Sequence, residues 1–192
     1  MSPSSNKPKL IIVSGLAASG KTFIAKHIAS CLQLFLVSKD EIKELLYDSL
    51  ELSGAYNLEW SKKLTTASML LMYQLAEKEL ELGRSCIIES PFYPKFSTPD
   101  ILKIYRKYPF NPVQILCYAQ SMVLVERFKN RAESGTRHPA HLDAYVASDP
   151  AYMARFSSGK AEVMDIGGEV IEVDTTDFEK VDLKSLVAKL SQ

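Results

Sequence analysis

Short apolar runs alternate with longer stretches of helical periodicity along the chain, the pattern of successive βαβ units in a parallel sheet. The apolar runs predict strands at 9–14, 35–37, 85–89, 113–118 and 170–173. Between them, Phe23, Ile24, Ile28 and Leu32 mark a helix over 21–32. Ile42, Leu45, Leu46 and Leu50 mark a second, which Gly54 interrupts and which Ser38 or Asp40 can cap. A long helix over 58–82 has Leu64, Ala67, Leu71, Leu75 and Leu82 as its expected buried side and stops at Gly83. Its middle, 67–73, is apolar on most faces and so should pack on more than one side. Helices near 98–108 and 121–133 follow, then a polar excursion over 134–158, and a closing helix carries Leu183, Leu186, Val187 and Leu190. With no repeat and no linker, 1–192 reads as a single domain.

The turn after the first strand carries the most chemistry. Residues 15–22 read GLAASGKT, which places Gly15, Gly20, Lys21 and Thr22 at the G-x-x-x-x-G-K-[ST] spacing of a phosphate-binding loop. A strand before it and a helix after it give the pattern its physical meaning. Glycines let the backbone curl without Cβ clashes, and successive N–H groups point at a phosphate with the positive end of a helix dipole behind them. The loop residues Ala17, Ala18 and Ser19 belong to that cradle. Lys21 is expected to reach the β- and γ-phosphates, and the Thr22 hydroxyl to ligate Mg²⁺. The chain is thus expected to bind a nucleoside triphosphate in a three-layer P-loop NTPase fold, a five-stranded parallel sheet with helices on both faces and a small lid over about 127–158.

Charge and composition narrow the partner. Lys plus Arg and Asp plus Glu number 23 each, so no global field draws the protein to nucleic acid or an anionic membrane. No stretch approaches the ~20 apolar residues of a membrane span. Residues 1–8 have no signal-peptide plan and read as a mobile tail, and the expected location is cytoplasmic. Cys31, Cys86 and Cys117 are widely spaced and read as buried small hydrophobes. His138 and His141 lack further His or Cys neighbours at metal spacing, which favours loop or substrate contacts.

Ligands of open parallel sheets bind beyond the carboxyl ends of the strands. The second strand delivers Lys39, Asp40 and Lys43 there, the third Glu89 and an aromatic loop, the fourth Gln120, and the fifth Asp174, Thr175 and Thr176. Asp40 can take a proton from a hydroxyl attacking the γ-phosphate, hold a magnesium water, or cap a helix. Glu89 can serve magnesium or its waters, bind a substrate hydroxyl, or stand solvated. Arg127 and Arg131 share one helix face, and Arg137 follows a glycine, which suits guanidinium groups closing over phosphates. Trp60, Tyr56, Phe92 and Tyr93 are candidates for an acceptor pocket or for the core.

The phosphate loop 15–22, the segment 38–43 (SKDEIK), the stretch 126–131 (ERFKNR) and the last strand with Asp174 and Thr175 together resemble P-loop kinases of the adenylate-kinase-like superfamily. The nearest groups are polynucleotide kinases, zeta toxins and chloramphenicol phosphotransferases. The resemblance implies that Asp40 is the catalytic base and that Arg127, Arg131 and Arg137 contact ATP phosphates. It also implies that adenine sits near Thr175 and Thr176. Lys43 stands where many relatives carry arginine, and Glu89 where many carry aspartate, so the acceptor is expected to be held differently. The expected activity is ATP- and Mg²⁺-dependent transfer to a hydroxyl of a small molecule, by a monomer or homodimer. A 5′-hydroxyl of nucleic acid, or a regulatory ATPase without an acceptor, are the alternatives.

Overall fold

A computed structural model describes residues 7–191. Its elements are β1 (Lys9–Gly15), α1 (Lys21–Leu32), β2 (Phe35–Ser38), α2 (Lys39–Ser49), α3 (Leu58–Glu81), β3 (Cys86–Glu89), α4 (Pro94–Lys107), β4 (Asn111–Tyr118), α5 (Ser121–Glu133), α6 (Asp143–Ala147), α7 (Pro150–Met153), β5 (Glu169–Asp174) and α8 (Leu183–Leu190). All five strands are parallel, in the order β2-β3-β1-β4-β5. The chain therefore turns to one side after β1 and to the other after β3. The crevice between those two strand ends is where an open α/β sheet receives its ligand.

Both faces of the central strands β1, β3 and β4 are covered, which is why these run largely apolar. Leu10, Ile12, Cys86 and Ile88 point to one face and pack on Met72, Tyr73 and Ala76 of α3 and on Ile101 and Ile104 of α4. Ile11, Val13, Ile87, Ile115 and Cys117 point to the other, against Ile24, Ala25 and Ile28 of α1 and Leu186 and Leu190 of α8. Gln114 is a buried polar residue in β4. Its side chain exchanges two hydrogen bonds with the Met164 backbone, Nε2 to O at 2.9 Å and N to Oε1 at 3.0 Å, and so ties down the segment before β5.

Several expectations need correction. In α3 the buried residues include Leu64, Ser68, Met72, Tyr73, Ala76 and Leu80, while Leu71, Leu75 and Leu82 are exposed. Small residues, Ser68 and Ala76, admit the close approach to the sheet, and Leu70, Leu71, Leu75 and Leu82 fall on the solvent side. The middle of α3 is therefore not packed all round, and Leu70 is 61% exposed. The helix expected from 98 begins at Pro94, whose fixed φ suits a first helical position, and it runs through Pro99. Cys31 is exposed on α1, with its Sγ 3.6 Å from His27 Nε2, whereas Cys86 and Cys117 are buried. Of the tail expected to be mobile, residues 1–6 lie outside the described residues. Pro8 O accepts from Asn111 N at 2.8 Å, so the chain is held from there on. No described helix is long and apolar enough to cross a membrane.

Candidate active site

The phosphate loop closes on two glycines that admit no side chain. Gly15 ends β1 at φ 146°, and a Cβ there would lie 2.2 Å from Cys117 O and 2.5 Å from Ser19 Oγ. Gly20 precedes α1 at φ 77°, and a Cβ there would lie 2.4 Å from the Phe178 ring. α1 opens at Lys21 without a side-chain cap, which leaves its first N–H groups directed into the loop. Lys21 is buried, and its Nζ folds back to donate to Leu16 O at 2.8 Å. Burial lowers the Lys21 pKa, against the pull of Glu89 and Asp40. Thr22 follows, exposed on the same cavity wall. A cradle of this kind fits the phosphates of a nucleotide.

β2 pairs in register with β3, and Ser38 lies opposite Glu89. Neither Ser38 nor Asp40 caps α2. Ser38 Oγ donates to Glu89 Oε2 at 2.7 Å, and Asp40 is drawn into ion pairs instead. Glu89 is buried beside the loop. Burial raises its pKa, and Lys21 and the Ser38 hydroxyl act to lower it. It is thus not the solvated strand-end carboxylate that was one of its expected readings.

Asp40 is enclosed by cations. Lys39 Nζ lies 2.5 Å from Oδ1, and Arg137 Nη2 lies 2.5 Å from Oδ2. Burial alone would raise the Asp40 pKa, but Lys39, His141 and Arg137 outweigh it and hold the carboxyl well below its ordinary range. Lys43 comes off α2 one turn later, is buried, and donates to Ser61 Oγ at 2.8 Å. Burial, then repulsion from Lys39, push its pKa down to about 8.

The segment after α5 folds back onto α2. Asp40, Glu44 and Asp48 are spaced four apart and share one helix face. Arg137 meets Asp40 and lies 3.5 Å from Glu44 Oε1, His141 Nε2 lies 2.7 Å from Glu44 Oε1, and His138 Nε2 lies 3.1 Å from Asp48 Oδ1. Ala140, between the histidines, is buried against Tyr47, Leu52 and Leu64. The His141 side chain is 7% exposed, and this burial pushes its pKa down to about 3, so at neutral pH its uncharged ring serves Glu44 by donating from Nε2. Both histidines thus hold the loop onto α2, and His141 also lines the cavity described below.

Arg127 stacks over the Phe178 ring at 4.6 Å and donates to Thr176 O at 3.0 Å, while its Nη1 is buried without a partner. Arg131 Nε donates to Asp143 Oδ2 at 2.7 Å. Neither arginine pairs with Glu126 or Glu133. Thr175 Oγ1 is buried 3.0 Å from Ser19 O and 2.9 Å from Tyr118 O, and so clamps the phosphate loop to the end of β4. Thr176 Oγ1 accepts from Gln120 N at 3.0 Å.

One cavity of about 1070 Å³ joins these groups. Ala17, Ala18, Gly20, Lys21 and Thr22 line it beside Asp40, Lys43, Glu89, Arg127, Arg131 and Arg137. Gly15, Ser19, Thr175 and Thr176 do not line it. From the phosphate loop it continues between α3 and the 90–97 stretch, and Tyr93 lines it there. Phe92 is in the core, and Tyr56 and Trp60 pack in a cluster with Tyr47. Tyr73, Arg155, Phe178 and Asp143 are among the lining residues that no sequence signal singles out. The acidic spacing Asp40-Glu44-Asp48 was readable, but its basic partner across ninety residues was not.

Fold and site together define a P-loop nucleotide-binding protein of the kinase type. Residues 10–149 match the AAA domain family, and the chain belongs to that family. A solved structure from Chloroflexus aurantiacus, provisionally described as a kinase, is 35% identical with a TM-score of 0.87, over 97% of this chain and 98% of that one. Two more distant structures show the fold alone. A sugar kinase from Janibacter is 14% identical with a TM-score of 0.55, over 96% of this chain and 92% of its own. Kti12 from Chaetomium thermophilum, solved with ADP-AlF3, is 14% identical with a TM-score of 0.64, over 95% and 97%. No curated protein matches the chain.

Proposed function

We propose that the protein transfers the γ-phosphate of ATP, with Mg²⁺, to a hydroxyl of a small molecule. The observation that carries this reading is the single cavity in which the phosphate loop, Asp40 and the arginines of 127–137 meet and which then continues past Lys43 and Glu89. A nucleotide switch needs the first half of that cavity and has no use for the second.

In this reading Lys21 and the loop N–H groups hold the β- and γ-phosphates, and Thr22 would hold magnesium, which would supply further positive charge there. Asp40 accepts the proton of the acceptor hydroxyl, whose oxygen forms the new bond to the γ-phosphorus as the bond to the bridging oxygen breaks and ADP leaves. Arg127, Arg131 and Arg137 oppose the charge spread over the equatorial oxygens. Both Asp40 oxygens are engaged by Lys39 and Arg137. Movement of Arg137 from Asp40 to the γ-phosphate frees one oxygen and removes a charge that depresses the carboxyl. Lys43 and Glu89 then hold the acceptor. The lid over 127–158 and a single domain over 1–192 belong to the same proposal, as do adenine contacts near Thr175 and Thr176.

The test is transfer of labelled γ-phosphate from Mg-ATP to a panel of alcohols, sugars and nucleosides, with products identified by mass spectrometry. A phosphorylated acceptor is the expected product. Label appearing solely in inorganic phosphate, whatever is added, contradicts the proposal.

A further inference from the structure

The cavity changes chemistry along its length. Its phosphate end is strongly basic, with Lys21, Lys39, Lys43 and the three arginines against Asp40, Glu89 and Asp143. Away from the phosphate loop it is lined by Leu58, Met69 and Leu70 of α3, with Thr65 and Thr66 between them, and by Pro91, Tyr93 and Phe96 of the 90–97 stretch. Phe96 is 67% exposed and Tyr93 is exposed as well. Isolated exposed apolar residues are ordinary on a protein surface, but these converge on one cavity. The charges at this end cancel, since Lys62 and Arg155 are offset by Asp100 and Asp149.

A second observation points the same way. Tyr73 is buried in the wall between the two ends, and its Oη lies near Ser97 without completing a hydrogen bond to it. An unpartnered buried hydroxyl is costly unless something supplies the missing bond. Arg155, from the segment after α7, donates to Tyr93 Oη at 3.3 Å and stacks over Tyr93 and Tyr152 at 5.7 and 5.1 Å, so aromatic groups roof this end too.

We infer that the acceptor is an uncharged alcohol built on an aromatic or other apolar ring, with one further polar group that meets Tyr73 and Ser97. The inference rests on the kinase reading and names its substrate class. The ring fits the faces of Tyr93 and Phe96 and the leucine side chains of α3, while the reacting hydroxyl reaches past Met69 towards Asp40. A polyol is the poorer match, because Leu58, Leu70, Tyr93 and Phe96 offer its hydroxyls no bond to exchange for water.

The test is ligand-observed NMR binding, with Mg-ADP present, of benzyl alcohol and tyrosol against glucose and gluconate and against a 5′-hydroxyl oligonucleotide. Both aryl alcohols are expected to bind, tyrosol more tightly. Phe96→Ala should weaken both, and Tyr73→Phe should weaken tyrosol by roughly tenfold, the scale of one hydrogen bond, with little effect on benzyl alcohol. Binding of the polyols or of the oligonucleotide in place of the aryl alcohols overturns the inference, and so does aryl-alcohol binding indifferent to Phe96→Ala. Phosphorylation of a polyol with no response to aryl alcohols removes this inference and keeps the kinase reading. Aryl alcohols that bind at Phe96 without ever being phosphorylated overturn the inference as well, and label released solely as inorganic phosphate removes the kinase reading with it.

Discussion

Arg137 and Asp40 are ninety-seven positions apart and joined by a 2.5 Å ion pair, which docks the segment after α5 onto the start of α2. The pair sets two functions against one another. A carboxylate held by two cations is a weak base, and an arginine held by a carboxylate is withheld from phosphate. Catalysis in the proposed form requires the pair to open when the γ-phosphate offers Arg137 a more highly charged partner.

Replacing the arginine tests that opening. Arg137→Ala is expected to lower kcat by about 10–100-fold, the scale of one charge-assisted hydrogen bond lost in the transition state. Arg137 is among the cations that depress the Asp40 pKa, so the acid limb of kcat/KM against pH should also move to higher pH. An unchanged acid limb means that Asp40 is not the group reported by that limb.

Lys21 is the buried cation of the phosphate loop. Lys21→Ala is expected to abolish phosphoryl transfer. Titration calorimetry should show Mg-ATP affinity reduced by roughly 10–100-fold, as for the loss of a charged hydrogen bond. Full turnover in this variant removes the site assignment.

Acid should loosen the lid contact through His141. Its folded pKa, pushed down to about 3, lies below its ordinary value of 6.5, so the unfolded chain binds a proton that the folded chain refuses. This contribution to stability is present above pH 6.5 and is lost as pH falls from there towards 3. Urea unfolding between about pH 6.5 and 5, above the carboxylate range, should show a slope approaching roughly 1.4 kcal/mol per pH unit. His141→Gln keeps a donor for Glu44 and should flatten the slope.

Gly20 is constrained twice, by its positive φ and by the Phe178 ring. Gly20→Ala is expected to lose about 1–3 kcal/mol in urea unfolding through backbone strain and crowding. In a Phe178→Ala background the same substitution should cost less, because the ring is gone and the strained φ remains. Equal costs in both backgrounds mean that the ring yields freely.

The central strands are legible because they are buried on both faces and therefore read as apolar runs, as in Leu10-Ile11-Ile12-Val13, whereas β5 buries Val173 alone. The phosphate loop was legible because Gly15 and Gly20 answer to local backbone demands that no distant residue can relax. The buried face of α3 departs from the spacing of its leucines because close packing selects Ser68 and Ala76 there. The Asp40–Arg137 and Glu44–His141 contacts depend on how the 134–158 segment folds back, and the sequence holds no local signal for that path. Tyr73 and Phe178 are likewise site residues only by virtue of tertiary placement.

The central claim is that Asp40 acts on an acceptor hydroxyl beside ATP held in the phosphate loop. The most direct measurement is acceptor-stimulated ADP release with Mg-ATP, for the parent protein and for Asp40→Asn in parallel. Stimulation in the parent that falls by about 10²–10⁴-fold in the variant, with ATP binding retained, is the expected result for loss of a general base. Slow hydrolysis indifferent both to every acceptor and to Asp40→Asn would contradict the account.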